Sequence, residues 1–162
     1  MKEIAPEKHV KRTRKNKTLQ VELECLKRLE KYDNHFPKIL DFYDDKDKDG
    51  YCCIEMSYCG KNCDKKLRSK IPDIDWQKQI DYIINALKQE NIIHMDVMRK
   101  NVCMLNNNIY LIDYGIATLD EEFDRMRVTR RRKKTHHING DYYAYIERSL
   151  KRCLKLIPGG KL

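Results

Sequence analysis

The sequence predicts one α+β domain, because stretches with helical periodicity alternate with short runs typical of β-strands. In residues 18–32 and 73–90, apolar side chains recur every three or four positions, which gives each predicted helix one buried face. Two pairs of short apolar runs are each joined by a polar turn, which is the pattern of a β-hairpin. Because 162 residues suit a single hydrophobic core, we expect residues 1–162 to form one domain.

The first helix and the first hairpin are predicted before residue 57. In residues 18–32, leucines recur at three- and four-residue steps with charged residues between them, and Pro37 follows the helix. Residues 38–43 (KILDFY) and 51–56 (YCCIEM) favour strands, because both runs contain β-branched and aromatic side chains. The segment DDKDKDG between them is polar and ends in glycine, which indicates a hairpin loop.

Two helices are predicted in the second half of the chain. The helix over residues 73–90 begins at Asp73 or Asp75, and either carboxylate could cap its first turn. Residues 141–156 (DYYAYIERSLKRCLKL) favour a closing helix, because a Pro-Gly-Gly sequence follows them and ends any helical run.

The composition argues against membrane and secreted proteins. The formal net charge is +9 and the mean hydropathy is −0.80. No apolar run approaches the roughly 18–20 residues that a membrane span needs, and the start lacks an apolar signal segment. The seven cysteines do not have the spacing of a disulfide scaffold, so free thiols are expected. We therefore expect a cytoplasmic protein.

Basic residues are concentrated in residues 125–134. The densest run consists of Arg130, Arg131, Arg132, Lys133 and Lys134. Such a run could bind an anionic partner, either the phosphates of a nucleic acid or an acidic protein. The alternative is a solvated loop that only aids solubility, and no zinc-finger or RNA-binding motif accompanies the run.

The most informative segment is residues 94–115, HMDVMRKNVCMLNNNIYLIDYG. Residues 102–105 and 109–112 favour a short hairpin around three asparagines. Asp96 and Asn101 lie just before this hairpin and Asp113 lies just after it, so we expect the three side chains to converge. Carboxylate and amide oxygens are ligands suited to Mg²⁺, and phosphoryl transfer also needs a carboxylate beside the attacking hydroxyl.

This segment resembles the catalytic core of the protein-kinase-like superfamily. HMDVMRKN resembles the H-R-D-L-x-x-x-N catalytic loop, and IDYG resembles the D-F-G metal-binding motif. The resemblance implies that Asp96 is the catalytic base and that Asn101 and Asp113 hold Mg²⁺ beside bound ATP. It implies that His94 supports the loop structurally and that Gly115 allows the backbone to turn after Asp113.

The resemblance extends to the first third of the chain. Glu22 resembles the glutamate of the small-lobe helix, which pairs with a phosphate-binding lysine. Lys11 is the candidate for that lysine, with Arg12 or another basic residue as the alternative. Ile54 is expected to be the gatekeeper beside the adenine of ATP, and residues 55–57, Glu55 to Ser57, are expected to form the hinge. On this basis residues 1–57 form a reduced small lobe and residues 58–162 a reduced large lobe.

Several family features are missing. The first glycine is Gly50, so no Gly-rich loop precedes Lys11, and Met95 replaces the arginine of the catalytic loop. No A-P-E motif lies between Gly115 and residue 141, and few residues follow the helix expected there. These departures resemble small atypical kinases such as the Rio type, and reduced kinase domains are also familiar in large DNA viruses. The expected fold is therefore a truncated protein-kinase-like fold.

The resemblance implies an ATP- and Mg²⁺-dependent phosphotransferase of minimal size, similar to serine/threonine-protein kinases, acting on a protein substrate. The missing phosphate loop leaves open a pseudokinase or decoy that binds a kinase or its substrate without phosphoryl transfer. A third alternative is an anion- or nucleic-acid-binding module on a kinase scaffold. Because a shortened fold exposes apolar surface, the chain could pair with a second copy as a homodimer or with a partner protein.

Overall fold

A computed structural model describes residues 7–63, 74–119, 142–154 and 160–161. Within these ranges the chain forms three α-helices and ten short strands, which confirms the predicted α+β class. In chain order the elements are β1 (Lys8–Arg14), α1 (Lys17–Leu29), β2 (Ile39–Asp44), β3 (Tyr51–Ser57), β4 (Lys61–Asn62), β5 (Ile74–Asp75), α2 (Trp76–Gln89), β6 (Ile92–Ile93), β7 (Val102–Leu105), β8 (Asn108–Leu111), β9 (Thr118–Leu119), α3 (Tyr142–Leu154) and β10 (Gly160–Lys161). The helices and small sheets are consistent with a truncated protein-kinase-like fold.

An antiparallel sheet with the strand order β1-β3-β2 forms one side of the molecule. The predicted hairpin of β2 and β3 is confirmed, but β1 was not predicted as a strand. Its sequence, KHVKRTR, carries five basic or histidine side chains, so a local pattern gives little indication of pairing. Strand β1 is held in place because it pairs with β3 along the whole length of β3, with Lys11 opposite Ile54.

Helix α1 supports this sheet through its buried face. The Asn16 side chain caps the helix by accepting a hydrogen bond from the Leu19 backbone amide at 3.1 Å. Leu26 and Leu29 are buried in the same core cluster as Ile54 of β3. The amphipathic pattern thus fixes which side of α1 meets the core, and Glu22 is also on the buried side.

Helix α2 and the β7–β8 hairpin form the second part of the core. Asp75 caps α2 by accepting a hydrogen bond from the Lys78 amide at 3.0 Å, whereas Asp73 lies outside the described residues. The turn between β7 and β8 uses Asn106 and Asn107 with positive φ angles of 50° and 65°. The hairpin register places Val102 opposite Leu111, so the residues just before and just after the hairpin meet at one end.

The basic residues 125–134 and both ends of the predicted helix over residues 141–156, residue 141 and residues 155–156, lie outside the described residues. The described part of that helix is α3, which packs against α2. Among the described residues, no helix combines the length and the apolar composition that crossing a membrane requires.

Candidate active site

A cleft of about 390 Å³ lies between the β1–β3–β2 sheet and the segment around β7 and β8. Its walls include His9, Lys11 and Glu22 from the sheet side and Lys100, Asn101 and Asp113 from the other side. Five residues singled out from the sequence line this cleft: Lys11, Glu22, Ser57, Asn101 and Asp113. The support residue His94 lies directly beside it, because its ring contacts the carbonyl of Ile112 in the cleft wall. The cleft is large enough for a small ligand.

Lys11 connects the two sides of the cleft. Its Nζ lies 2.7 and 2.8 Å from the two carboxylate oxygens of Glu22 and 2.8 Å from Asp113 Oδ1. Strand alternation sends the neighbouring Arg12 to the opposite face, where its Nε lies 2.5 Å from Asp45 Oδ2. Of the two basic residues proposed from the sequence, Lys11 is therefore the one whose side chain enters the cleft.

The charges around Lys11 do not balance, because one ammonium group is shared by two carboxylates. Burial disfavours the charged form of Lys11, but attraction to Glu22 and the hydrogen bond to Asp113 outweigh it and raise its pKa. Burial raises the pKa of Glu22 despite Lys11. Burial also tends to raise the pKa of Asp113, but the hydrogen bond from Lys11 outweighs burial, so the pKa of Asp113 is lowered. An excess of negative charge therefore remains beside Asp113, which favours a cation there.

His94 holds the catalytic-loop segment against the strand end before Asp113. The backbone N–H of Asp96 can only donate, so His94 Nδ1 accepts at 3.3 Å and Nε2 carries the ring proton. Nε2 donates to the Ile112 carbonyl at 3.0 Å. Burial lowers the pKa of His94, which favours this neutral form.

Asn101 is fixed beside Asp96. Its amide nitrogen donates to the Asp96 carbonyl oxygen and to Asp96 Oδ2, both at 2.9 Å. Its backbone carbonyl accepts from the Ile112 amide at 2.9 Å, which holds it one residue away from Asp113 across the hairpin end. Because both amide hydrogens are used, Oδ1 is the remaining polar atom of the side chain, and an oxygen is what Mg²⁺ binds.

Asp113 adopts an unusual backbone conformation with a φ of 65°, in the left-handed region. Its Oδ1 accepts a hydrogen bond from the Gly115 amide at 3.4 Å. A Cβ atom at Gly115 would stand 3.3 Å from Asp113 Oδ1 and 3.7 Å from Lys11 Nζ. Glycine at position 115 therefore leaves room for the Lys11–Asp113 contact.

Of the expected gatekeeper and hinge residues, Met56 and Ser57 line the cleft and Ile54 and Glu55 do not. Ile54 is fully buried in the core, and Glu55 binds Lys8 Nζ at 2.6 Å, so neither residue lines the cleft. Met56 lies on the same face of β3 as Ile54 but two residues nearer the strand end, where it lines the cleft, and Ser57 follows it. Gly60, with a φ of 87°, then turns the chain away.

Beyond the expected hinge, Tyr58, Cys59 and Gly60 also line the cleft, and the sequence analysis did not single them out. YCCIEM is apolar along its length, so it does not show where along the chain the core ends and the cleft begins. The glycine at position 60 was the available signal, because it marks the turn where the chain leaves the strand.

The donor set for a metal is small. Within the described ranges, no three His, Cys, Asp or Glu side chains are grouped so that they could hold a metal ion. One carboxylate from Asp113 and one amide oxygen from Asn101 fit Mg²⁺, which commonly takes few protein ligands and adds water and phosphate oxygens. The negative charge left beside Asp113 fits the same ion.

Comparison with known proteins gives a partial match. No protein-family model matches the chain. The chain is 31% identical over 114 residues to the serine/threonine-protein kinase Nek11 of Macaca fascicularis and equally to that of Homo sapiens. The match covers 64% of this chain but only 17% of the length of each Nek11 protein. This similarity indicates a distant relationship to protein kinases.

Proposed function

We propose that this chain binds MgATP in the cleft and transfers the γ-phosphate to a serine or threonine hydroxyl of a protein. The observation that carries the proposal is the Lys11 bridge between Glu22 and Asp113, formed beside the Asp96–Asn101 pair. Lys11 lies 102 residues from Asp113 in the sequence, so the bridge requires the whole fold. The distant similarity to Nek11 supports the same reaction class.

Different residues would bind the phosphates, accept the proton and hold Mg²⁺. Lys11 would donate to phosphate oxygens and is itself held by Glu22. Asp96 does not itself line the cleft, but Asn101, which does, holds the Asp96 carboxylate at 2.9 Å. From that position Asp96 would orient the attacking hydroxyl and accept its proton. Asn101 and Asp113 would hold Mg²⁺, which supplies charge neutralisation for the phosphates. Lys100 Nζ lies 3.6 Å from Asp96 Oδ2 and would bind the transferred phosphoryl group.

The cleft wall formed by Met56, Ser57 and Cys59 would receive the adenine. Met56 offers an apolar surface, and the backbone groups after β3 offer donors and acceptors for the base edge. This placement replaces Ile54 and Glu55 in the adenine-binding role.

A pseudokinase is the second candidate, and the sheet supplies the observation that favours it. Among the described strands, β1 is the edge of its sheet, so none of them covers the phosphate side of Lys11. A site without such a cover could bind a nucleotide, or a partner protein, without efficient transfer.

Transfer of labelled phosphate from ATP to the protein itself and to casein tests the proposal. We expect Mg²⁺-dependent incorporation that Asp96→Asn reduces at least about a hundredfold, the scale expected for loss of a general base. Asp33→Asn makes the same chemical change at an exposed position outside the cleft and should leave incorporation unchanged. Saturable MgATP binding without any incorporation would favour the pseudokinase, and absence of both would refute the nucleotide site.

A further inference from the structure

A second cavity lies beside the catalytic loop. It has a volume of about 220 Å³ and is open to solvent between the loop and α3. Its lining includes Val97, Met98 and Arg99 of the loop and Tyr145, Ser149 and Arg152 of α3. We call it the loop–helix groove.

Two arginines make the loop–helix groove positively charged. Within the described ranges, neither Arg99 nor Arg152 forms an ion pair. Both guanidinium groups lie near the same buried thiol. Burial raises the pKa of Cys153, and the positive charges of Arg99 and Arg152 each oppose that increase. Two cations that converge on one small groove repel each other, and a bound anion would relieve that repulsion.

The loop–helix groove begins next to the proposed catalytic base. Arg99 follows Asp96 by three residues, so their Cα atoms are at most about 11 Å apart. Lys100, with a side chain 61% exposed, extends the basic surface toward Asp96. Met98, 44% exposed, and the partly buried Tyr145 add apolar surface against which a peptide backbone could pack.

We propose that the loop–helix groove binds an acidic peptide segment, with Arg99 and Arg152 pairing to its aspartate or glutamate side chains. The segment would place those side chains within a few residues of the hydroxyl that approaches Asp96. This substrate class rests on the proposed function, but binding of the segment does not require phosphoryl transfer. The formal net charge of +9 would add long-range attraction for an acidic partner.

Binding of labelled nonapeptides to the full chain, followed by fluorescence anisotropy, tests the groove. One peptide has a central serine flanked by glutamates, and the matched peptide has glutamines at the same positions. We expect the acidic peptide to bind roughly tenfold or more tightly, and the preference to weaken with added salt. Arg99→Gln and Arg152→Gln should each weaken acidic-peptide binding by about three- to tenfold, and the double variant should remove the preference.

The control variants separate charge in the groove from charge elsewhere. Arg148→Gln removes a charge from an exposed position of the same helix outside the groove and should leave the preference intact. Arg152→Lys keeps the charge and should retain most of the binding. That result would show that the loss in Arg152→Gln comes from the missing charge and not from misfolding. Equal binding of the two peptides, or an equal loss in Arg148→Gln and Arg152→Gln, would overturn the inference.

Thermal stabilisation by MgATP, measured on the same preparations, separates this inference from the proposed function. Nucleotide stabilisation without an acidic-peptide preference would overturn the groove and leave the nucleotide site standing. An acidic-peptide preference without nucleotide stabilisation would support the groove and refute the nucleotide site.

Discussion

Replacing Lys11 with methionine is expected to destabilise the fold, because Glu22 then keeps a buried carboxylate without its counter-cation. The Glu22 side chain is only 3% exposed, whereas the Lys11 side chain is 26% exposed. Removing one partner of a fully buried ion pair costs about 3–5 kcal/mol. Since Lys11 is partly solvated and burial already raises the pKa of Glu22, the carboxylate can take up a proton, and we expect a loss of about 2–3 kcal/mol.

The double variant Lys11→Met, Glu22→Leu tests this reasoning, because it removes the buried charge together with its partner. We expect it to recover most of the loss, with a coupling free energy of about 1–2 kcal/mol between the two positions. Urea denaturation followed by circular dichroism measures each free energy of unfolding, and the single variant should unfold roughly 4–12 °C lower on heating. A single variant within about 0.5 kcal/mol of the parent, or a double variant no more stable than the single one, would refute the reasoning.

Two further predictions concern the turn after β3 and the dependence of stability on pH. A Cβ atom at Gly60 would stand 1.8 Å from the Met104 carbonyl oxygen, so Gly60→Ala should cost about 3 kcal/mol or more. Gly50→Ala shares a positive φ but meets no atom within 4 Å, so in the same denaturation assay it should cost only about 1–2 kcal/mol, and equal losses would contradict the clash. The lowered pKa of His94 means that the unfolded chain binds a proton first as pH falls through about 6.5, so the free energy of unfolding should decrease below that pH. His94→Gln should flatten this decrease in denaturation curves between pH 7.5 and 5, to be run at about half-unit steps, and an unchanged slope would contradict the buried neutral ring.

Elements with a strong local pattern could be predicted from the sequence. Helices α1 and α2 and the two hairpins follow from their periodicity and turn residues, and Asp75 caps α2 as one of the two proposed residues. The residues around the β7–β8 hairpin could also be placed together, because a hairpin necessarily brings its two ends into contact. Asn101 and Asp113 stand at those two ends.

Features that depend on distant pairing could not be read from local pattern. Strand β1 is too basic to look like a strand, and only its register with β3 directs Lys11 into the cleft and Arg12 away from it. The residue that lines the cleft at the gatekeeper position also depends on tertiary packing. Ile54 and Met56 lie on the same face of β3, and only the tertiary packing shows that Ile54 is buried in the core whereas Met56 lines the cleft.

Calorimetric titration of the protein with ATP, in the presence and absence of Mg²⁺, tests the central claim most directly. We predict saturable binding that requires Mg²⁺, that weakens at least about tenfold in Asp113→Asn, and that Asp33→Asn leaves unchanged. Absence of binding at millimolar ATP, or binding that is indifferent to both Mg²⁺ and the Asp113 substitution, would contradict a nucleotide site in this cleft.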